Sequence, residues 1–494
     1  MKKAALILFL LLGHLAVAQV PLQKAVDAAA KSKVLKNASW GFCAVDSTGK
    51  AIASRNAATR LIPASNMKLV TTGTALVALK GDFTFSTDIY CSGTVDGGVL
   101  NGDVYIVGGG DPTTAARDSL AMKPESLFWK WKSFLRSAGI SAINGRIIAD
   151  GTAYEGYPED GSWNWEDIGT YYGTGAYALN YYGNSQDYAV SAGAAPGSAV
   201  NVSISGPLTP WMHFVNRGVT GPAGSGNSLY LYTTDLAPES ELRGSFAIDR
   251  KPKTEHFANK YPELTCAYAF YRNLLDTGWI VRGYGYIDRD GRVSDLASVD
   301  TLSTAPRRRL GVTRSAKLAD IVRATNVRSD NLYAEAIFRR LGDEACGVCV
   351  PDSCRAAVFE VLASLGVGAG VGGSFGAGPV IVDGSGLSRK NAVSPQWMAS
   401  YLRAMASSKA SSDFIASLPA PGQGTLAGVL KNEPGAGRIR MKSGSMEGVL
   451  CYSGYVLSED LSSVQLTFSL MVNGASAKYS DIRAALVPIL AAML

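Results

Sequence analysis

Histidine is nearly absent. Three occur in 494 residues, His14, His213 and His256, so chemistry that uses a ring nitrogen as base or metal ligand has almost no raw material. His14 lies in the leader described below, and the other two sit in no recognisable motif. No G-x-S-x-G segment embeds a nucleophile, since Gly384-Ser385-Gly386 in "DGSGLS" has the wrong spacing. A Ser-His-Asp triad is set aside on these grounds. The cluster "CGVCVPDSC" (Cys346, Cys349, Cys354) would need a fourth ligand to hold zinc, and its neighbourhood offers only Asp352. A local disulfide with one spare thiol is the reading preferred there, and no metal or cofactor is expected. Seven cysteines leave at least one unpaired, and the partners of Cys43, Cys91, Cys266 and Cys451 are not fixed by the sequence.

Other absences narrow the class further. No uncharged apolar run is long enough to span a membrane. The formal charge of +6 is spread along the chain, and the one dense basic run, Arg307–Arg309, reads as a solvated loop and not as a nucleic-acid patch. "GGGDP" (Gly108–Pro112) follows a strand-like run but lacks the G-x-G-x-x-G order, so it reads as a turn. With 18% charged and 47% hydrophobic residues the chain has no signature of disorder, and its length predicts two or three domains.

What is present begins with a leader. "MKKAALILFLLLGHLAVAQ" has a basic start, an apolar stretch and Ala16-Val17-Ala18 as a small-x-small site, the pattern of a secretory signal peptide over residues 1–18. No cysteine follows the cleavage point, which argues against a lipid anchor there. The expected location is the periplasm or cell envelope of a bacterium.

Ser-x-x-Lys spacing occurs twice near the N-terminus. "STGK" (Ser47–Lys50) joins two alternating runs and reads as a hairpin loop. "SNMK" (Ser65–Lys68) opens a run with apolar residues at helical spacing, Met67, Leu69, Val70, Leu76 and Leu79. A serine in the first turn stands near the positive end of the helix dipole, and Lys68 at i+3 projects from the same face. Burial of that helix would desolvate the amine, lower its pKa and equip it to take a proton. From Phe83 to about Ser298 short alternating runs predict β-rich modules. The aromatic stretch Gly161–Asn184 is read either as a packed loop or as the wall of a sugar- or peptide-lined cleft. Helical periodicity resumes in Lys317–Gly342, interrupted at "VRSDN", and the chain ends in two strand-like runs and an apolar helix from Ile482. Helix-rich ends around a β-rich middle predict one domain carrying a long insertion.

Two further fragments complete a constellation: Ser329-Asp330-Asn331 at the helix interruption, and Lys442-Ser443-Gly444 at the end of a strand-like run. S-x-x-K, S-D-N and K-[ST]-G in that order are a signature of class A β-lactamases and penicillin-binding proteins. With "RLIPASNMKLVTTGTAL", "LNGDVYIVGGGDPT", "VDGSGLSRKNAVSP", "GQGTLAGVL" and "MKSGSMEGVLCYSGYV", the chain resembles the D-Ala-D-Ala carboxypeptidase/endopeptidase branch of the penicillin-binding proteins, the low-molecular-mass class C group.

The resemblance implies an α/β (α+β) serine β-lactamase/transpeptidase-like domain, a central antiparallel sheet flanked by helices, with two small β-rich inserted domains. Residues 19–84 and 299–494 would form the catalytic domain, 85–168 and 250–298 the second domain, and 169–249 a third nested in it. Ser65 would be the nucleophile, Lys68 its base, Ser329 the proton relay and Lys442 a second amine. Asn331 would bind the substrate backbone, Lys442 and Ser443 its carboxylate, and the backbone N–H groups of Ser65 and Ser445 the oxyanion, with Gly444 giving room. Expected partners are peptidoglycan stem peptides and β-lactam antibiotics. A homodimer is one open option for the oligomeric state. Ser443 stands where the family usually has threonine, and "ACGVCVPDSC" departs from its pattern. The competing readings are a β-lactamase-like hydrolase and a catalytically silent peptidoglycan-binding scaffold.

Overall fold

The structure is a computed structural model that describes residues 21–347, 349–368 and 378–494. The signal-peptide reading of residues 1–18 lies outside them. The chain divides into two compact units. One comprises the residues up to Asp82, Leu318–Asp330 and Arg355–Leu494; the other comprises Phe83–Lys317 and Asn331–Cys354.

The first unit is built on five antiparallel strands: β1 (Ser39–Asp46), β2 (Ala51–Arg55), β3 (Ile439–Met446), β4 (Val449–Leu457) and β5 (Val464–Asn473). Their order across the sheet is β2-β1-β5-β4-β3. Alternation gives the sheet two buried faces. Phe42, Ala44, Leu450, Tyr452, Phe468 and Leu470 point to one side, where they meet Leu22 and Val26 of the N-terminal helical segment and the C-terminal helix (Tyr479–Ala491). On the other side Cys43 and Val45 meet Ala399, and the Tyr455 hydroxyl donates to the Leu402 carbonyl. That second face carries the helices α1 (Met67–Leu79), α2 (Leu318–Arg328), α3 (Pro395–Ala406) and α4 (Ser411–Ser417). Lys442 pairs with Ser453 and Arg440 with Tyr455, so both lysine and arginine belong to the helix-covered face. The central antiparallel sheet flanked by helices is therefore as the resemblance implies.

The second unit is organised by a mixed sheet in which Arg307–Arg314, Ser86–Ser92, Val104–Gly108, Ala142–Asp150 and Val281–Ile287 lie in that order. The β-rich reading of this region missed two helices, Pro124–Ser137 and Pro262–Asp276, which pack Trp131, Leu135, Phe270 and Leu274 onto the sheet. Both open on proline at a first-turn position, where the missing N–H is not needed. Strands between residues 185 and 258 enclose a separate small core of Tyr188, Val190, Leu231, Leu242 and Phe246. The arginine run is a strand and not a solvated loop: Arg307 pairs with Asp150 at 2.5 Å and lies over the Tyr105 ring, and Arg309 pairs with Asp88. This strand belongs to the second unit, although the sequence reading grouped residues 299–317 with the catalytic segments.

The cysteine expectation is also corrected. All seven cysteines are free thiols. Cys346 is exposed, whereas Cys349 and Cys354 are buried and hydrogen-bonded to each other, which holds the Cys354 thiol below its usual range. The aromatic stretch is mixed in character: Trp163, Tyr177 and Tyr181 are buried, and Trp165 and Tyr171 are exposed.

Candidate active site

The two Ser-x-x-Lys segments part company at once. Ser47 is exposed in the β1–β2 hairpin, whose turn is set by Asp46 accepting from the Thr48 and Lys50 N–H groups. Ser65 lies in a short 3₁₀ turn, Ala64–Asn66, that runs into α1. α1 is buried continuously from Met67 to Leu76. Lys68 is thus wholly buried (0%), and its Nζ donates to Ser65 Oγ at 3.0 Å and to the Ser385 carbonyl at 2.7 Å.

Local strain is concentrated here. Ala64 has φ +46°, a left-handed conformation that costs a side-chain-bearing residue about 1–2 kcal/mol. Neighbours hold it there. Buried Asn66 donates to Ser453 Oγ at 2.7 Å, tying the turn to β4. The Asp383–Ser388 loop braces the other side: Thr71 donates to the Gly384 carbonyl at 2.7 Å, and buried Asp383 accepts from the N–H groups of Gly386 and Ser388. Gly386 is required at φ +81°, where a methyl group would sit 2.0 Å from the Ala64 carbonyl oxygen.

The second amine arrives on β3. Lys442, also wholly buried, donates to Ser329 Oγ at 2.9 Å and to the Ser443 carbonyl at 2.6 Å. Burial, reinforced by the charge of Lys68, holds its ammonium well below the usual lysine range. Ser329 occupies the break after α2 with φ +63°, a second strained residue. Gly444 lets β3 approach the Ser65 turn: a methyl there would meet the Pro63 carbonyl at 2.6 Å, the Asn66 nitrogen at 2.9 Å and the Ser65 nitrogen at 3.0 Å. Four of the expected residues, Ser65, Lys68, Ser329 and Lys442, are therefore linked by hydrogen bonds or mutual charge within one unit. The arrangement offers a half-buried hydroxyl with a desolvated amine in hydrogen-bond reach, the geometry for removing a proton from an attacking alcohol.

The remaining residues are placed differently. The Ser443 hydroxyl donates to Thr425 Oγ1 at 2.7 Å, and Ser445 is exposed near the end of β3. Asn331 opens the helix Asn331–Cys346 of the second unit, where its Nδ2 donates to the Tyr172 carbonyl at 2.8 Å. Sequence reasoning missed Asn66, Thr425 and the Asp383–Gly386 brace. Their stretches stand among the family-like segments, but a buried amide and a carbonyl acceptor carry no motif of their own. Among the described residues no three His, Cys, Asp or Glu side chains converge on a point that could hold a metal ion. No helix among them is long and apolar enough to cross a membrane.

Comparison with known proteins bears on the fold and the family. The family model described as D-Ala-D-Ala carboxypeptidase 3 (S13) matches residues 22–493. A D-alanyl-D-alanine carboxypeptidase of Actinomadura sp. (strain R39) is 30% identical over 467 residues, 92% of this chain and 81% of its own. The D-alanyl-D-alanine carboxypeptidase DacB of Haemophilus influenzae is 24% identical, over 90% of this chain and 87% of its own. The crystal structure of penicillin binding protein 4 from H. influenzae matches with TM-score 0.78 at 23% identity, over 94% of this chain and 97% of that one. The same protein complexed with a β-lactam matches at 0.74 and 22%, over 95% and 97%. The fold is shared with penicillin binding protein 4, and by the extent of these matches the chain belongs to the D-Ala-D-Ala carboxypeptidase 3 (S13) family.

Proposed function

We propose that this chain is an exported serine D-Ala-D-Ala carboxypeptidase that trims peptidoglycan stem peptides through an acyl-enzyme on Ser65, and that β-lactams inhibit it by acylating the same oxygen. The observation that carries the reading is the 3.0 Å contact between Ser65 Oγ and the wholly buried Lys68 amine. In the neutral state that amine accepts the hydroxyl proton as Oγ attacks the penultimate D-Ala carbonyl. Lys442, whose ammonium is itself disfavoured by burial and by Lys68, makes one shared positive charge preferable to two. The oxyanion is met by the backbone N–H groups of Ser65 and Ser445. The C–N bond then breaks, and Ser329, hydrogen-bonded to Lys442, passes a proton to the departing D-Ala amine. Water hydrolyses the remaining ester and restores Ser65. Ser443 and Lys442 receive the substrate carboxylate. The role of Asn331, binding the substrate backbone, rests on its place in the S-D-N motif.

Covalent labelling with a fluorescent penicillin tests the assignment. Native protein and Ser47→Ala label, and Ser65→Ala does not. Equal labelling of the two variants would overturn the nucleophile, and no labelling of native protein would favour a silent wall-binding scaffold.

A further inference from the structure

A cavity of about 820 Å³ lies wholly within the first unit, on the helix-covered face of the sheet, lined by the ends of α3 and α4 and the β4–β5 turn. We infer that it binds a phosphate-bearing ligand, through Arg403, Lys409 and Arg440.

The charge balance leads to that ligand. None of the three cations has a carboxylate partner among the described residues, whereas Arg146, Arg243, Arg307 and Arg309 on strands of the second unit each pair with one. Arg440 is half-buried, and desolvation holds its guanidinium below the usual range. Its Nη1 donates to the Gly437 and Ile439 carbonyls at 2.7 and 2.8 Å, neutral acceptors that fix its position without neutralising it. The lining holds one carboxylate against these three cations. Asp46 lines the cavity, but its Oδ1 accepts from Thr48 and Lys50. Asp460, in the β4–β5 turn, accepts from the Ser458 and Ser462 hydroxyls. The hydroxyls of Ser411, Ser412 and Ser463 also line the space and add neutral donors. Forked guanidinium donors beside hydroxyls match a tetrahedral oxyanion, and the volume leaves room for a group attached to it. A phosphomonoester and one unit of a phosphodiester polymer share this chemistry.

Isothermal titration of the full mature chain at low ionic strength provides the test. Inorganic phosphate and glycerol 3-phosphate are expected to bind, and Arg403→Gln and Arg440→Gln each to weaken binding about tenfold or more, the loss of a charge-assisted contact. The exposed Lys431→Gln serves as control and leaves binding unchanged. A short glycerol phosphate oligomer separates the two sources: tighter binding than the monoester assigns a polymer, and equal or weaker binding assigns a free small molecule. Arg403 is exposed, so Arg403→Gln and Arg403→Glu carry the test if Arg440→Gln fails to fold. Penicillin labelling of Ser65 is expected to persist in both Arg403 variants, which separates this inference from the proposed activity. Absence of phosphate binding by native protein, or binding untouched by the arginine substitutions, would overturn it.

Discussion

Replacing Gly444 with alanine probes the least forgiving contact of the site. The added methyl would lie 2.6, 2.9 and 3.0 Å from three atoms of the Pro63–Asn66 backbone. Carbon prefers about 3.5–4.0 Å to such atoms, so relief requires β3 and the Ser65 turn to separate by about 0.5–1 Å. Backbone cannot rotate away as a lysine tip could. Overpacking of this kind costs about 1–3 kcal/mol. The functional effect should exceed the structural one, because Lys442 precedes Gly444 by two residues on the same strand and would be carried off its 2.9 Å contact with Ser329. A displacement near 1 Å in a catalytic array costs about 10²-fold in rate. The assay is the second-order rate constant for penicillin acylation, read beside thermal unfolding. Gly437→Ala is the control, since nothing lies within 4 Å of its would-be methyl. Gly444→Ala should acylate about 10²-fold more slowly, with Tm lowered by a few degrees. Native acylation and native Tm in Gly444→Ala would refute the close approach.

Two other predictions concern buried charge. Lys442 is a base whose charged form is disfavoured in the fold, so the unfolded chain binds the extra proton and native stability rises with pH toward the ordinary lysine value near 10.5. Lys442→Met should abolish acylation yet stabilise the fold by about 1–2 kcal/mol at neutral pH, and lose that pH slope; a destabilised variant in urea unfolding would contradict it. In the second unit, Glu263 is pushed up to about 8 by burial, with Asp235 raising it further and Arg289 opposing. Its contribution to stability is full below about 4.5 and is lost as pH rises through about 8. Glu263→Gln should flatten that loss and leave the protein about 1–3 kcal/mol more stable than native above pH 8. A denaturation midpoint with unchanged pH dependence would count against it.

The catalytic half of the fold was legible because its signals are local. Continuous burial of α1 follows from the apolar spacing after Ser65, and the break between α2 and Asn331 is written in "VRSDN". The second unit was harder to read. Pro124–Ser137 places Leu127, Phe128, Trp131 and Leu135 at helical spacing, but the strands around it set the texture of the region and hid a short helix inside it. The arginine run misled for a related reason. Three adjacent charges look solvated until the strands beside them supply Asp150 and Asp88 and the face of Tyr105, none of which is near in sequence. Within the site, the side chains proposed to react carry motifs, and backbone groups that hold them do not. The carbonyl of Ser385 is the case in point: any residue could supply it, so only the fold discloses that it holds Lys68.

A serine–lysine site demands more of its scaffold than a serine–histidine one. Imidazole titrates near neutrality unaided, whereas an amine must be desolvated by several kcal/mol before it is a base there. Desolvation alone would simply exclude the lysine from the fold. Here Lys442 is retained by the Ser443 carbonyl, a neutral acceptor that satisfies an N–H donor without restoring the full ammonium pKa as a carboxylate would, and Lys68 donates to the Ser385 carbonyl. The same logic accounts for the strain at Ala64 and Ser329, which brings each hydroxyl to its amine from an otherwise unfavourable backbone conformation. Introducing a carboxylate beside Lys442 would therefore be worse than removing a contact: it would stabilise the ammonium and raise the lysine pKa, and the well-folded variant should show slowed penicillin acylation with native Tm.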